Sequence, residues 1–308
     1  MIREGDYIKE NPEKVMQVHG KSFFWASQIF SSETMAKVSE LYTFCRFVDD
    51  TADENTPEVA NKELNRLEKD LKGGLTPYMQ QVQNLFAQSG INLNLADELI
   101  AGARFDVQSG IVRTRSDLLL YCYRVAGVVG LMMCPIIGVS RRDAHAYALD
   151  LGIGMQLTNI SRDILEDAQN RRLYLPAEEL EAASLDLKHL SRKGQTPAAL
   201  KDLVREYLEL ADTYYESAAA GYSYIPLRPR LAILVAARLY QAIGHKIRAD
   251  GYEVLAGRTY LSHFEKIKIT LSCVGQLFRV SFWRNKHEHL PSLHQELVGL
   301  PGVSVGSG

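Results

Sequence analysis

Oxygen-bearing side chains recur at helical spacing in two segments of this chain, over a hundred residues apart. Tyr42, Arg46, Asp49 and Asp53 fall at i, i+4, i+7 and i+11; Gln156, Asn159, Asp163 and Asp167 fall at i, i+3, i+7 and i+11. At helical period each set shares one face. Carboxylates four apart repel by roughly 0.2–0.5 kcal/mol on an open helix, and by more where water is scarce. A chain that repeats such a stripe has cations to bind there. Taken alone, Asp49 and Asp53 read equally well as a solvated acidic face. The second set adds an amide and two carboxylates, an all-oxygen donor set that suits Mg²⁺. Arg46 and Arg162 lie within a turn of a carboxylate, either as ion-pair partners or as bidentate grips on phosphate oxygens. Together these residues describe a diphosphate held by bridging magnesium ions.

Other motifs carry less. His19-Gly20-Lys21-Ser22 contains Gly-Lys-Ser, but Val15 stands where a P-loop needs its first Gly, and no strand precedes it. The turn can still present a hydroxyl, an ammonium and backbone N–H groups to a phosphate. Gly152 and Gly154 resemble a dinucleotide fingerprint, yet Leu157 replaces its third Gly and the context is helical. His287-Glu-His289 reads as polar tail rather than metal site. The stretch from Tyr121 to Met133 is apolar and rich in small residues, as tight helix packing or a smooth wall for a long hydrocarbon. Aromatic faces among the 15 tyrosines could stabilise a carbocation.

The elements that must position these residues are helices. Leu41, Phe44, Val48 and Ala52 form an apolar stripe behind the first acidic face, and Ile153, Leu157, Ile160 and Ile164 one behind the second. The 3.6-residue period predicts helices over 12–30, 33–54, 58–72, 78–89, 95–109, 116–138, 141–168, 197–220, 229–250 and 259–283, with Ser32 and Ser140 as N-caps. No period-2 strand is evident. The 308 residues, 46% hydrophobic, suffice for a sizeable core, and no break is long enough for an interdomain linker. We therefore expect one all-α domain, residues 1–284, around a central cavity, followed by a polar, mobile tail over 285–308. A formal charge of −2 and a pI near 6.5 give no general attraction to nucleic acid. Cys45, Cys122, Cys134 and Cys273 form no CxxC pair and read as buried hydrophobes in a reducing compartment. The N-terminus lacks an apolar core, so no signal peptide is expected. The longest apolar run, Val125 to Val139, is interrupted by glycines and Pro135 and is too short to span a bilayer.

These stripes, with Arg172-Leu-Tyr174-Leu-Pro176 downstream, resemble the squalene/phytoene synthase family from about His19 to Lys268. The resemblance implies the all-α class I isoprenoid synthase fold, a prenyltransferase activity, and Mg²⁺ (Mn²⁺ a candidate substitute) held by Asp49, Asp53, Asn159, Asp163 and Asp167. It implies contacts to diphosphates or nearby substrate from His19, Gly20, Lys21, Ser22, Tyr42, Arg46, Gln156, Arg162, Tyr240 and Lys266, with Tyr121 near the reacting chains. Where some relatives carry Ser, Gly20 would offer only its backbone N–H. The implied reaction joins two geranylgeranyl diphosphates head to head through a cyclopropyl diphosphate to phytoene, a carotenoid precursor, without NADPH. A farnesyl-using enzyme making dehydrosqualene, squalene or presqualene diphosphate is the alternative. From other classes, a terpene cyclase would need only one diphosphate grip, and a non-catalytic assembly factor would be expected to lose the aspartates. Long-tailed substrates on a chain without a spanning helix imply a cytoplasmic protein peripherally bound to a membrane, with downstream pathway enzymes as candidate partners.

Overall fold

The computed structural model describes residues 10–73, 76–277 and 289–303. Residues 1–9, His287, Gly306 and Gly308, on which some of the expectations above fall, lie outside that set. In chain order the helices are α1 (Pro12–His19), α2 (Lys21–Ser27), α3 (Ser32–Asp53), α4 (Pro57–Gly73), α5 (Pro77–Ser89), α6 (Leu93–Gln108), α7 (Arg115–Cys122) and α8 (Val128–Ile136). After them come α9 (His145–Gln169), α10 (Ala177–Ala182), α11 (Leu187–Leu190), α12 (Ala198–Ala219), α13 (Leu227–Ala249) and α14 (His263–Leu277). The all-α class is as expected: β pairing among the described residues is confined to an isolated bridge, Ile111 to Leu173. That bridge matters to the site. Val112 N–H donates to Leu173 O (2.8 Å) and Leu173 N–H to Gly110 O (2.7 Å), tying the chain after α6 to the chain after α9.

α9 is the central helix, packed against α12, α8 and α13. Its apolar stripe Ile153, Leu157, Ile160 and Ile164 is at most 4% exposed, and Leu41, Phe44, Val48 and Ala52 of α3 at most 8%. Both predicted stripes therefore face the core. At roughly 25 cal/mol per Å², their burial fixes which way the opposite faces point.

Local differences from expectation have physical causes. The helix read over 12–30 breaks at Gly20, which closes α1 and opens α2. Ser31, not Ser32, caps α3, its hydroxyl accepting from Thr34 N–H (3.2 Å). α9 starts at His145 after a 3₁₀ turn over Arg142–Ala144, so Ser140 caps nothing. α7 runs into α8 through a π-turn, Tyr123–Gly127. The resulting Arg115–Ile136 helix is long and apolar enough, by length and composition, to cross a membrane, yet 61% of its apolar window is buried inside the protein. The described part of the expected tail packs on the helices. Pro291–Leu297 forms a 3₁₀ helix with Leu297 fully buried, Tyr214 Oη donates to Leu293 O (2.9 Å), and Tyr123 Oη donates to Pro301 O (2.8 Å).

Candidate active site

A cavity of about 320 Å³ runs between α3, the π-turn with α8, α9 and α13. Its polar end is lined by Tyr42, Asp49, Gln156, Asn159 and Tyr240, all read from sequence as site residues. Away from that end the walls are mostly apolar, with the rings of Tyr147 and Tyr222 among them, reaching Val38 on α3, Ala144 before α9, and Ile225 before α13. From Asn159 to Ala144 is fifteen residues, about 22 Å at the helical rise. The small residues do what close packing needs. A Cβ on Gly152 would sit 2.5 Å from Ala126 O, and one on Gly130 2.4 Å from Ala148 O, so α9 meets the π-turn and α8 backbone to backbone. Cys45 and Cys134 also line the cavity; Cys122, Cys134 and Cys273 are buried, and all four cysteines are unpaired.

The acids form one electrostatic unit across the mouth. Burial first, then Asp53, pushes Asp49 up to about 7, against the pull of Arg46. Burial, then Asp163, pushes Asp167 up to about 8. Asp49 stays open to solvent in the mouth while protein closes around its other sides. Between the two stripes lies Asp106 of α6, raised to about 6 by burial and opposed by Arg172, and its charge acts on both Asp49 and Asp167. Tyr174 Oη donates to Asp106 Oδ1 (2.7 Å) and Tyr121 Oη to Asp106 Oδ2 (3.1 Å), the two rings stacked at 4.6 Å. Tyr121 therefore sits under the acidic mouth rather than in the cavity wall.

The arginines divide. Arg162 holds Asp163 in two bonds, Nε to Oδ1 (2.7 Å) and Nη2 to Oδ2 (2.6 Å), and Arg258 reaches Asp163 and Glu166. Arg172 pairs with Asp53. Arg46 pairs with Asp50, the buried neighbour of Asp49, not with the stripe acids. At the α1–α2 joint His19 and Lys21 are exposed and Ser22 half-buried. Lys266 lies 5.9 Å over the Trp25 ring, and burial, then the charge of Lys21, holds its ammonium below the usual range. The Gly20 N–H expected to face a phosphate already donates to Met16 O (2.8 Å). Its hydrogen instead serves packing, since a Cβ there would lie 2.9 Å from the Tyr42 ring.

The residues fit a divalent cation. Asn159 Oδ1 is buried without a hydrogen-bond partner among the described residues, on the stripe that carries Asp163 and Asp167. The raised carboxylate pKa values report burial first and crowded negative charge second, and a bound cation would relieve both. A second group, Asp150, His289 and His294, brings its ligand atoms within 4.8 Å of one another, apart from the two stripes.

Sequence reasoning missed Asp106 and Arg258 and gave Arg172 and Tyr174 no role. Asp106 has no acidic partner at helical spacing, and Arg258 lies in a loop, so neither had a periodic signal. Arg172 and Tyr174 stood within the quoted Arg172–Pro176 motif, which was the available signal.

Residues 16–265 match the squalene/phytoene synthase family. A 15-cis-phytoene synthase of Enterobacter agglomerans is 36% identical over 275 residues, covering 85% of this chain and 93% of that protein. A phytoene synthase of Pseudescherichia vulneris is 34% identical over 292 residues, covering 90% and 94%. Among solved structures, a dehydrosqualene synthase in complex with ligand superposes with a TM-score of 0.79 at 28% identity, over 89% of this chain and 97% of that one. A squalene synthase from Alicyclobacillus acidocaldarius, at 22% identity, shares the fold with a TM-score of 0.68 over 81% and 95%. With the paired acidic helices and the cavity between them, the match places this chain in the squalene/phytoene synthase family, a family of prenyltransferases.

Proposed function

We propose that the protein condenses two geranylgeranyl diphosphates head to head into phytoene through a cyclopropyl diphosphate intermediate, with Mg²⁺ (Mn²⁺ as substitute) and without NADPH. The family is one of divalent-metal-dependent enzymes acting on prenyl diphosphates. The observation that carries the reading is a cavity whose carboxylate and amide groups gather where both acidic helices meet, and whose remaining wall is mostly apolar and aromatic. The relatives named phytoene synthase favour the twenty-carbon substrate over farnesyl diphosphate, which the dehydrosqualene synthase likeness would suggest.

Asp49, Asp53, Asn159, Asp163 and Asp167 would hold the metal, with Gln156 and Tyr42 beside them. When bound, it supplies Lewis-acid stabilisation of the departing diphosphate. Arg162 and Arg258 place positive charge at Asp163, where the leaving group's charge develops, and Lys21 and Lys266 would add a second cationic group for the diphosphates. The apolar walls exclude water from the allylic cation, and the second substrate's double bond attacks it. Loss of a proton closes the cyclopropane ring; loss of the second diphosphate, rearrangement of that ring and loss of a second proton then yield the central triene. Tyr240 and Tyr42 lie at the same end of the cavity, where a ring face can steady positive charge.

We also read the protein as cytoplasmic and peripherally bound to a membrane. Support comes from Phe264, Ile267 and Leu271 on α14, which project from one face and are 76%, 46% and 67% exposed, with Tyr260 at 66% just before. The deciding test supplies purified protein with Mg²⁺ and each prenyl diphosphate, with and without NADPH, and identifies the hydrocarbon by mass. A forty-carbon triene that disappears in excess EDTA is the expected result. A thirty-carbon product, or squalene on adding NADPH, would overturn the substrate assignment; full turnover in EDTA would overturn the metal.

A further inference from the structure

We infer that the C-terminal segment His289–Val303 sets the inner end of the cavity, and so decides which prenyl chain length is accepted. This rests on reading that cavity as the prenyl site. The segment is latched to α9 and α12 from outside. Asp150 of α9, fully buried, accepts from Ser217 Oγ (2.6 Å) and lies 2.8 Å from His294 Nε2 and 3.4 Å from His289 Nε2. Leu290 N–H reaches the same Ser217 Oγ (3.3 Å), so the tail backbone joins the latch. A buried carboxylate needs such partners, because leaving it unpaired in a low-dielectric site is costly.

One helical turn from Asp150 stands Tyr147, a residue of the cavity wall. Its ring meets the His289 ring edge to face at 5.8 Å and stacks on Tyr224 at 5.8 Å. Gly221 closes a further side: a Cβ there would fall 2.3 Å from Tyr147 Cβ. Tyr147 is twelve residues from Asn159 on the same helix, about 18 Å below the polar end. A prenyl tail whose diphosphate sits beside Asn159 runs toward that ring. Farther along, Gly302 lies against Leu131 of α8, where a Cβ would come within 2.4 Å, and Tyr123 of the π-turn is bonded to Pro301. The tail thus backs Tyr147 of the cavity wall and packs on Leu131 and Tyr123, which do not themselves line the cavity, and His289 and His294 act as positioning residues for Tyr147.

The test offers the full chain, with Mg²⁺, an equimolar mixture of farnesyl, geranylgeranyl and the twenty-five-carbon diphosphate, and resolves the products by mass. In a folded His289→Ala/His294→Ala variant, the use of twenty-five-carbon relative to twenty-carbon substrate should rise at least tenfold. Tyr147→Ala should shift it the same way, and His294→Gln, which keeps a hydrogen-bonding group toward Asp150, should largely restore the parental ratio. If the double variant does not fold, His289→Ala alone, which leaves His294 on Asp150, carries the same expectation. An unchanged ratio in the folded tail variants, with Tyr147→Ala shifting it, would overturn the role of the tail and leave the cavity reading intact. A parent protein that makes no coupled prenyl product would remove both.

Discussion

Asp163 and Asp167 sit one turn apart on the same stripe, yet their surroundings divide them. Asp163 is paired with Arg162 and Arg258, whereas Asp167 is held up near 8 by burial first and then by the charges of Asp163 and Glu166. Asp167→Asn should therefore lower turnover at least a hundredfold while leaving the metal-free melting temperature unchanged or raised. Asp163→Asn should lower turnover similarly but also destabilise by roughly 1–3 kcal/mol, because two arginines lose their charged acceptor. Equal melting temperatures for the two variants would show that the arginine pairing carries no weight. The raised values also set a pH dependence. The native metal-free protein keeps protons on Asp49 and Asp167 that the unfolded chain releases near its ordinary carboxylate range, so its stability falls as pH rises from about 4 to about 8. Asp167→Asn should flatten that slope in calorimetry in EDTA. Over the same window metal affinity should rise, since a cation must displace those protons. Asp106, linked to Tyr121 and Tyr174, tests the missed centre of the site: Asp106→Asn should weaken Mg²⁺ binding about tenfold by titration calorimetry, and unaltered affinity would assign it a purely structural part.

At the scale of elements, the shape of the cavity wall depends on the backbone-to-backbone approach of α9 to the π-turn and α8 at Gly152 and Gly130. Gly152→Ala would drive a methyl to 2.5 Å from a backbone oxygen that belongs to a packed helix and cannot move aside as a side-chain end would. We expect a loss of about 1–3 kcal/mol, read as a lowered urea midpoint, together with reduced acceptance of the longer prenyl substrate. A neutral effect would mean the walls can spread. π-turns recur at functional sites because they displace one residue of a helical face, and here the turn supplies Val125 and Ala126 to the cavity. The sequence marked this stretch as small and apolar, but 3.6-residue periodicity has no signature for a five-residue π-turn.

For the whole molecule, the exposed α14 stripe follows the loop whose Arg258 bonds to Asp163 at the mouth, and α14 is tied to α2 by Trp25, whose Nε1–H donates to Thr270 Oγ1 (3.1 Å). Substrate drawn from a bilayer would enter beside it. Phe264→Glu/Leu271→Glu should lower co-sedimentation with anionic vesicles at least fivefold while sparing turnover on detergent-dispersed substrate. Retained binding would place the membrane contact elsewhere, and resistance of the parent to high salt and alkaline extraction would count against peripheral association itself.

What the sequence alone determined is what helical periodicity encodes: the all-α class, which face of α3 and α9 is buried, that Tyr42 and Asp49 share the opposite face of α3, and that Gln156 and Asn159 share that of α9. These follow from spacing within one helix and the burial of the apolar stripe behind it. Tertiary structure decided which acids are paired, that Asp106 sits between the stripes, that Gly20 serves the Tyr42 ring, and that the described tail is docked rather than free. Each depends on contacts between residues far apart in the chain, such as Tyr174 with Asp106 across 68 positions or His294 with Asp150 across 144. Such contacts leave no local period behind, because they are created by the packing of helices that the chain connects only through loops.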